Sequence, residues 1–546
     1  MILGDPMLSA GQMSHSQSGI TVDELFRRAA ARRPGAIALA DAQNRDSFTD
    51  GRPLRLCYAE ADRLVSAIAG RLRRMGLPTD AIVGIQLPHT VENILTMLGV
   101  LRAGLIAAPL PLLWRRADAV AALARVGAKA LITCRRVGNF EHGQFATRVA
   151  SEVFSIRYVC GFGANLPDGV VPLDDSFTAA ELDPIPPLER DSNAAAHLAV
   201  ISFEIGEDGP VPVARRHLEL LAGGLGVLLE SRLEQDATIL STMAPASFAG
   251  VCLTLVPWLL TGGTLVLHQP FDADILARQR RDDRCGTLIL PAAVAFRLAE
   301  AGLFAPDGPT TILAAWRAPE RLADSVDWRE RDAILVDVPI FGEAGLIAAR
   351  RGAAGRPAPL PFGPIVAPRD GEAAVTVAEL SVTAANTVAL RGPMVPNHPF
   401  PPGIERSDQP YFAVRNDGLV DTGYPCSVDA AGKTVALTGP PSGIVSIGGY
   451  RFPLCGLLQT IGRIDAEATL TAVPDALMGQ RFIGAAADRD AMRAALNGLG
   501  LNPLVANSFA GKLAIAGGGE RVLRQAITVD MAVDMALDMA VDLAVA

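Results

Sequence analysis

Lysine is scarce in this chain of 546 residues: only three, Lys129, Lys433 and Lys512, stand among its 49 basic residues. Any chemistry that requires a lysine ammonium therefore has three candidates. A GxSxG nucleophile elbow, an HExxH zinc motif and a Walker lysine are all missing, and the seven histidines do not cluster. None of the reactions that depend on those motifs is indicated.

Targeting and membrane signals are also missing. The first eighteen residues hold no Lys or Arg and lack the pattern of a signal peptide. One stretch, 248–267, runs twenty residues without a charge, but Pro257 and the pair Gly262-Gly263 favour a helix, a turn and a short strand over a membrane span. The seven cysteines show no CxxC and no pairing pattern. We therefore expect reduced thiols in a cytoplasmic protein.

Charge excludes a further class of partner. The net charge is −9, and no basic stripe stands out, so we expect no nucleic-acid partner. Half of the residues are hydrophobic and 20% are charged, which is a globular composition. At roughly 100–200 residues per domain, the length indicates two to four domains.

Helical and strand periodicities alternate along most of the chain. Amphipathic patterns predict helices over 21–33, 58–75, 91–103, 117–126, 218–229, 273–280 and 292–301. Short apolar runs predict strands over 81–87, 105–110, 130–134, 198–203, 265–268, 287–290, 312–315 and 334–338. This alternation predicts an α/β fold with parallel-rich sheets, and the Pro-rich, β-branched stretch 357–406 predicts a β-rich segment.

Pro440, Pro441 and Gly443 mark the best domain boundary. We expect a large domain over 19–439, a small α+β domain over 440–524 and a low-complexity tail over 525–546. In the tail, four aspartates recur every fourth residue and would form one acidic stripe on a helix. The tail is either a frayed extension or a helix that docks on a protein partner or on the chain itself.

Several stretches in a fixed order carry a family resemblance. They are LCYAEADRLVSAIAGRLRRMGL, VGIQLPHTVENILTMLGVLRAGLIAAPLPLLWR, LLTGGTLVLHQPFDADIL, LILPAAVAFRLAEAG, DGLVDTGYPCSVDAAGKTVALTG and AVPDALMGQR. Through them the chain resembles the adenylate-forming, AMP-binding superfamily, specifically acyl-CoA synthetases and ligases, from about residue 20 to 512. The resemblance implies a large N-terminal α/β domain with a β-rich subdomain, and a small C-terminal domain.

The resemblance also implies an activity. Family members adenylate a carboxylic acid with ATP and Mg²⁺, release pyrophosphate, and pass the acyl group to CoA. The implied ligands are therefore ATP or AMP, Mg²⁺, CoA, and a carboxylic acid or acyl-CoA, and the implied setting is fatty acid metabolism.

The family's phosphate loop, roughly TSGTTGxPKG, resembles the segment EIGEDGPVPVARRH here. Gly206 and Gly209 fall where the motif glycines fall, so the resemblance assigns them to nucleotide binding. Carboxylates of Glu204, Glu207 and Asp208 replace hydroxyls, and facing a polyphosphate they would repel it. No lysine follows. Arg215 and Arg216 either lend positive charge or are solvated residues at a helix start.

Two further nucleotide motifs are incomplete. Phe341-Gly342 matches the aromatic and the glycine of the family's YGxTE motif, which binds adenine, but Gly345 replaces the metal-binding glutamate. Glu343 stands two positions early and would aim elsewhere. Thr422-Gly423 matches the TGD motif, which binds ribose, but Tyr424 replaces the aspartate. A phenol cannot accept two ribose hydrogen bonds as a carboxylate does.

The remaining matches concern adenine, the acyl group, CoA and the catalytic lysine. Ala318 and Pro319 resemble the turn beside adenine, and Phe248 resembles the wall of the acyl site. The stretch 448–451, GGYR, resembles the turn that leads toward CoA. Lys512 is the one candidate for the C-terminal catalytic lysine, with a surface lysine as the alternative. The sequence offers no metal ligand that we would name.

Two functions stay open at this point. One is an active acid–CoA ligase with an unusual phosphate site, which the order of the segments favours. The other is a non-catalytic relative that binds an acyl compound, a nucleotide or a protein partner. The simultaneous loss of several charge-stabilising groups favours the second, because each such group is typically worth about 10²–10³ in rate.

Overall fold

The computed structural model describes residues 19–174, 188, 193–304, 310–330, 333–367 and 375–510. Lys512 and the repeated tail lie outside these ranges. In chain order the helices are α1 (Val22–Arg32), α2 (Tyr58–Arg74), α3 (Val91–Arg102), α4 (Arg116–Val126), α5 (His142–Glu152), α6 (His217–Ser231), α7 (the consecutive pieces Phe248–Gly250, Val251–Leu255 and Val256–Thr261), α8 (Ala273–Asp282), α9 (Ala292–Glu300), α10 (Leu454–Ile464), α11 (Arg489–Leu499) and α12 (Pro503–Ala506).

Strands of the first half alternate with these helices. They are β1 (Ile37–Ala40), β2 (Arg55–Cys57), β3 (Ile82–Ile85), β4 (Ile106–Pro109), β5 (Ala130–Cys134), β6 (Tyr158–Phe162), β7 (Val170–Pro172), β8 (Leu198–Gly206), β9 (Gly209–Arg216), β10 (Thr238–Ser241), β11 (Thr264–Leu267), β12 (Thr287–Pro291), β13 (Thr310–Trp316), β14 (Ala333–Phe341), β15 (Gly345–Leu346) and β16 (Ala349–Arg350).

Strands of the later part form hairpins and meanders. They are β17 (Leu360–Pro361), β18 (Gly363–Ala367), β19 (Val375–Val382), β20 (Thr387–Arg391), β21 (Val420–Val428), β22 (Thr434–Leu437), β23 (Ile444–Ile447), β24 (Tyr450–Pro453), β25 (Thr469–Asp475) and β26 (Gly479–Ala485).

Two mostly parallel sheets make up the large α/β region. Within the described residues one sheet has the order β7-β6-β5-β3-β4-β8-β9, and the other has the order β15-β14-β13-β12-β10-β11-β1-β2. Helices α1, α2, α3 and α7 pack against one another and share one apolar core with faces of both sheets. The expected α/β fold class with parallel-rich sheets is therefore confirmed.

Local sequence explains the edges of these elements. The Thr21 side chain accepts a hydrogen bond from the Glu24 amide and caps α1, whose buried stripe includes Leu25 and Phe26. The uncharged stretch that begins at Phe248 forms α7, which ends at Gly262 in the left-handed region (φ +64°), and strand β11 follows. The predicted helix, turn and strand are confirmed, and no helix of the described residues is long and apolar enough to cross a membrane.

The predicted β-rich stretch 357–406 supplies strands β17 to β20 of a third, antiparallel sheet. Strands β21 and β22, which follow that stretch, complete the sheet in the order β17-β22-β21-β20-β19-β18 among the described residues. After Gly443 the chain makes two hairpins, β23–β24 and β25–β26, which pack with α10, α11 and α12 on a separate apolar core. The β-rich segment and a small C-terminal α+β unit are thus present. All seven cysteines are free thiols.

Candidate functional site

The segment that resembles the phosphate loop is a regular β-hairpin. Strands β8 and β9 pair from Leu198 with Arg216 to Gly206 with Gly209, so that only Glu207 and Asp208 form the turn. Gly209 takes a left-handed φ of +94°, which glycine adopts at little cost. Both turn residues are exposed at the tip. The expectation that three carboxylates face the site is therefore wrong for two of them.

This hairpin offers few backbone donors to a phosphate. Pro210 and Pro212 occupy alternate positions of β9, which is the last strand of its sheet in the described structure. Proline is tolerated in a strand where its missing N–H would face away from the ladder. The outward edge of β9 therefore lacks the N–H groups of these two residues, and the single amide between them, that of Val211, faces β8.

Glu204 is the one carboxylate of the hairpin that points into the site, and the chain itself binds it. Its Oε1 lies 2.5 Å from Nη1 of Arg451, which belongs to β24 of the C-terminal unit. Its Oε2 accepts a hydrogen bond from the Glu343 amide at 2.6 Å. Both carboxylate oxygens are thus engaged by groups from distant parts of the sequence.

Arg451 has a second partner, Tyr424, whose hydroxyl accepts a hydrogen bond from Nη2 at 2.6 Å. Burial works to lower the pKa of Arg451, but Glu204 and Tyr424 outweigh it and raise that pKa above its ordinary value. Gly342 is required beside this group, because its φ is +57° and a Cβ there would collide with Oε2 of Glu204.

The residues that resemble the adenine and ribose motifs are packed together. Phe341 and Tyr424 are each 1% exposed, and their rings meet edge to face with centroids 5.7 Å apart. Thr422 Oγ1 donates to the Val388 carbonyl, and the Gly423 amide donates to Asp421. The structure therefore brings Phe341, Tyr424 and Glu204 to one place, but as a closed cluster.

The two remaining positions of the YGxTE-like motif also differ from metal ligands. A Cβ at Gly345 would lie 3.3 Å from Cδ1 of Leu390, so this position faces apolar packing. The buried Glu343 carboxylate accepts hydrogen bonds from the Ser202 hydroxyl and from the Phe248 amide, the latter at 3.0 Å. Burial raises the pKa of Glu343, and Arg215 partly opposes that shift.

Arg215 lies beneath this turn and is only 1% exposed. Its Nη2 donates to the carbonyl oxygens of Glu343 and Ala344, and its guanidinium carbon lies 3.7 Å from the centroid of the Phe248 ring. The interpretation of Arg215 as a solvated helix-start residue is therefore wrong, because its side chain turns inward from the end of β9. Arg216, the next residue, is half-buried.

Phe248 is fully buried, and a small cavity of about 20 Å³ lies close to it. Gly223 of α6 belongs to the cavity wall, and a Cβ there would lie 2.8 Å from Cζ of Phe248. Most of the other lining residues are apolar: Leu346, Ile365, Val366, Val377 and Met394.

Ala318 and Pro319 come just after β13, at the sheet edge where β14 ends at Phe341 and Gly342 follows, since these strands are parallel and paired. The structure thus brings both pairs to the carboxyl ends of neighbouring strands, where α/β sheets usually bind ligands. Arg317, the preceding residue, donates from Nη1 to the Gly449 carbonyl at 3.2 Å.

The C-terminal unit contacts this sheet edge through several hydrogen bonds. Gly448 and Gly449 form the two-residue turn of β23–β24, with φ values of +55° and +88° that suit a tight hairpin. The Tyr450 hydroxyl accepts a hydrogen bond from the Leu113 amide at 3.2 Å, and Arg321 donates to the Gly479 carbonyl at 2.6 Å. The GGYR turn therefore lies directly on the site.

Two parallel-rich sheets, an antiparallel subdomain and a small C-terminal unit that meets their edge define the architecture of adenylate-forming enzymes. Amide bond synthetase McbA from Marinactinospora thermotolerans has this fold: the match has a TM-score of 0.66, covers 88% of this chain and 94% of that one, and is 18% identical. A double mutant of o-succinylbenzoate CoA synthetase (MenE) from Bacillus subtilis matches with a TM-score of 0.63 and 16% identity, over 88% and 92% of the two chains.

Sequence comparison gives the family. The model of the AMP-binding enzyme family matches residues 26–311, and the chain belongs to that family. Among curated relatives, bassianolide nonribosomal cyclodepsipeptide synthetase from Beauveria bassiana is 24% identical over 290 residues, which is 52% of this chain and 8% of that protein. The chain spans less than a tenth of the length of the first curated relatives that it matches.

ATP and Mg²⁺, which this family uses, do not fit the residues present. The loop that would hold phosphates is a paired hairpin, Glu204 places a carboxylate where negative charge would bind, and Tyr424 covers the Phe341 ring. Gly345 has no ligand atom, and no cluster of three or more His, Cys, Asp or Glu side chains in the described ranges could hold a metal ion.

Sequence reasoning named Glu204, Tyr424 and the GGYR turn but did not find that they bind one another. The Glu204–Arg451 pair spans 247 residues of sequence, and no local pattern connects them. The inward turn of Arg215 was also missed. A usable signal was the alternation along β9, where Val211, Val213 and Arg215 share one face and only the last is polar.

Proposed function

We propose that this chain is an acyl-CoA synthetase-like member of its family that has lost ATP-dependent activation and retains the binding of a carboxylic acid or acyl compound. The observation that carries the proposal is the closed cluster of Glu204, Arg451 and Tyr424 in the place where the family resemblance puts nucleotide. A partly buried, hydrogen-bonded ion pair resists replacement by a ligand, because separating it leaves a charge without its partner.

Three further features support the loss of ATP chemistry. The hairpin supplies no phosphate cradle, Gly345 supplies no metal ligand, and the Phe341 ring is covered rather than open to a base. Each independent loss of a charge-stabilising group typically costs about 10²–10³ in rate. Together they would remove most of the rate that such an enzyme gains over the uncatalysed reaction.

The acid side of the site supports retained binding. The Phe248 ring is buried against Gly223, and Gly223 also lines a small cavity whose wall is mainly apolar apart from Glu230. We propose an acid or acyl compound with an apolar body, as in fatty acid metabolism, and we place the protein in the cytoplasm, where its seven free thiols would stay reduced. MenE is a CoA synthetase, and CoA binding by this chain belongs to the alternative of an active acid–CoA ligase.

The test is calorimetric titration of the full chain with Mg·ATP, beside Glu204→Ser and the matched control Glu207→Thr at the exposed hairpin tip. We expect no saturable heat at micromolar ATP from any of the three proteins. Micromolar binding by the native protein would contradict the proposal and support the active ligase, and pyrophosphate release with a panel of carboxylic acids would then be measured. Recovery in Glu204→Ser alone would assign the loss to the ion pair rather than to the hairpin.

A further inference from the structure

The C-terminal unit, residues 444–510, meets the large domain along one surface, and single hydrogen bonds cross that surface at several points. The Leu113 amide donates to the Tyr450 hydroxyl at 3.2 Å, and the Ala117 amide donates to the Gly500 carbonyl at 3.0 Å. Both donors belong to the segment that leads from the end of β4 into the first turn of α4. Since their acceptors lie in the C-terminal unit, these two amides lose those partners whenever the unit moves away.

Two arginines of the large domain also donate across this surface. Arg317 donates from Nη1 to the Gly449 carbonyl at 3.2 Å, and Arg321 donates from Nη1 to the Gly479 carbonyl at 2.6 Å. Arg321 and Gly479 are both half-buried, so water can take the place of either partner. Each of these bonds is single, and breaking one leaves no opposite charge behind.

Arg451 makes the one ion pair that joins the unit to the large domain within the described residues. Its Nη1 lies 2.5 Å from Oε1 of Glu204, and its Nη2 donates to the Tyr424 hydroxyl at 2.6 Å. The two partners come from different sheets of the large domain, Glu204 from β8 and Tyr424 from β21. Hydrogen bonds in which a partner is ionised are stronger than neutral ones, by roughly two-fold. Arg451 therefore holds the unit more firmly than the single bonds do.

The Glu204 side of this contact is itself held in place. Its Oε2 accepts a hydrogen bond from the Glu343 amide at 2.6 Å, and its side chain is only 18% exposed. A Cβ at Gly342 would lie 2.0 Å from the same oxygen, so the backbone packs directly against the carboxylate. Glu204 is therefore not free to follow Arg451 outward, and the ion pair breaks if the unit moves.

The C-terminal unit is built to move as one body. It has an apolar core of its own, which includes Leu457 and Phe482. Its connection to the large domain runs through Pro440, Pro441 and Gly443, and Gly443 has a φ of +72°. A unit with its own core and a short connection can open without unfolding.

We propose that Arg451, Glu204 and Tyr424 form a latch that holds the C-terminal unit closed over the site, and that breaking the latch lets the unit open while the large domain stays folded. The unit is then a lid over the sheet edge that carries Phe341, and the latch sets how often the lid opens. The latch is independent of the proposed function, because that function concerns what the site binds and the latch concerns what covers it.

Hydrogen exchange of the full chain without ligand, read by mass spectrometry, tests the latch. The peptide that contains Leu113 and Ala117 reports opening of the lid, and strand β5 reports unfolding of the large domain. We expect Glu204→Gln and Arg451→Met to speed exchange of that peptide by about ten-fold or more over native protein, while β5 stays protected over the same labelling times. Tyr424→Phe removes one of the two bonds and should speed it by about three-fold.

Two matched variants serve as controls. Arg321→Met removes a single bond across the same surface, and Glu207→Gln changes a carboxylate at the exposed tip of the hairpin that carries Glu204. We expect each control to change the exchange of the Leu113 peptide by less than about three-fold, because neither leaves a charge without its partner.

Three outcomes would overturn the latch. The first is native-like exchange of the Leu113 peptide in Glu204→Gln, and the second is an effect of Arg321→Met as large as that of Arg451→Met. The third is loss of β5 protection together with that of the peptide, since the large domain would then unfold with the lid. If circular dichroism shows that Arg451→Met is unfolded, Glu204→Gln and Tyr424→Phe decide.

The Mg·ATP titration separates the latch from the proposed function. Micromolar ATP binding by native protein, together with exchange that depends on the latch residues, would contradict the proposed function and leave the latch standing. The absence of ATP binding, together with exchange that is the same in native protein and in Glu204→Gln, would overturn the latch alone.

Discussion

Arg451 and Arg215 both lie at the candidate site, and their charges are met differently. Arg451 has a carboxylate at 2.5 Å and a phenol at 2.6 Å, both supplied by the chain. Arg215 has two backbone carbonyls and two nitrogens with no partner in the described residues. The charge of Arg451 is thus met by side chains of the protein, whereas the charge of Arg215 is met only in part by the described residues.

This difference supports the proposed loss of ATP binding. Opening the Glu204–Arg451 ion pair would leave a charge without its partner in a partly buried position. Removing Arg215, by contrast, removes a buried charge that the described residues satisfy only in part. The two arginines therefore predict opposite responses to substitution.

The largest expected effect comes from removing the partner of Arg451. Glu204→Gln leaves the partly buried Arg451 charge without its carboxylate, and we expect the free energy of unfolding to fall by about 2 kcal/mol, as for a lost hydrogen bond between charged groups. Urea unfolding followed by circular dichroism measures this. The control Glu207→Gln, at the exposed tip of the same hairpin, should change the value by less than about 0.5 kcal/mol.

Adding Arg451→Met sharpens that prediction. The double variant should lose less free energy of unfolding than the two single variants lose together, because neither charge is then left without its partner. Additive losses would mean that the interaction between Glu204 and Arg451 contributes nothing to the free energy of unfolding.

Tyr424→Phe removes one hydrogen bond to the same guanidinium. Burial raises the pKa of Tyr424 to about 12, so at neutral pH the phenol is an uncharged acceptor for Arg451. We expect the free energy of unfolding to fall by about 1.5 kcal/mol, the usual loss for a hydrogen bond to a charged group. The same urea series measures it, and the edge-to-face contact with Phe341 is not expected to change, because the substitution keeps the ring.

Arg215→Met should cost much less than Glu204→Gln. The substitution loses two hydrogen bonds to carbonyls and the stacking on Phe248, but it also removes a buried charge that is only partly satisfied. We expect a change within about 1 kcal/mol in either direction, since apolar replacements of buried charges are often neutral or stabilising. A loss of about 3 kcal/mol or more, the size of a broken buried ion pair, would show that the Arg215 charge is already balanced, against our interpretation of the site.

The smallest effect concerns pH. Burial raises the pKa of Glu343 above its ordinary value of 4.5, so above pH 4.5 the folded protein holds a proton that the unfolded chain has released. The contribution of this group to the free energy of unfolding therefore falls as the pH rises from 4.5 through the folded pKa. Glu343→Gln should flatten that part of the stability profile relative to native protein, while Glu207→Gln should leave its slope unchanged.

Sequence alone predicted much of this molecule because local patterns decide most of it. Helix α1 follows its Thr21 cap and apolar stripe, strand β5 covers the predicted 130–134, and Gly262 ends α7 before a strand. The order of such segments also gave the family. These features depend on neighbours within a few residues, which a sequence displays directly.

The site was less predictable because its contacts join residues far apart. From the sequence, Glu204 is a carboxylate that would repel phosphate; only the fold shows that Arg451 of the C-terminal unit pairs with it. From the sequence, Arg215 is an arginine at a helix start; only the fold shows that it ends the paired strand β9 with its side chain facing inward. The hairpin itself was hidden, since resemblance to a phosphate loop indicated an open turn where Pro210 and Pro212 favour an edge strand.

A crystal structure of the full chain, grown with Mg·ATP, tests the account most directly. We predict that Glu204 stays paired with Arg451 and that no nucleotide lies between them. A nucleotide in the place of the Glu204–Arg451 pair would contradict the account.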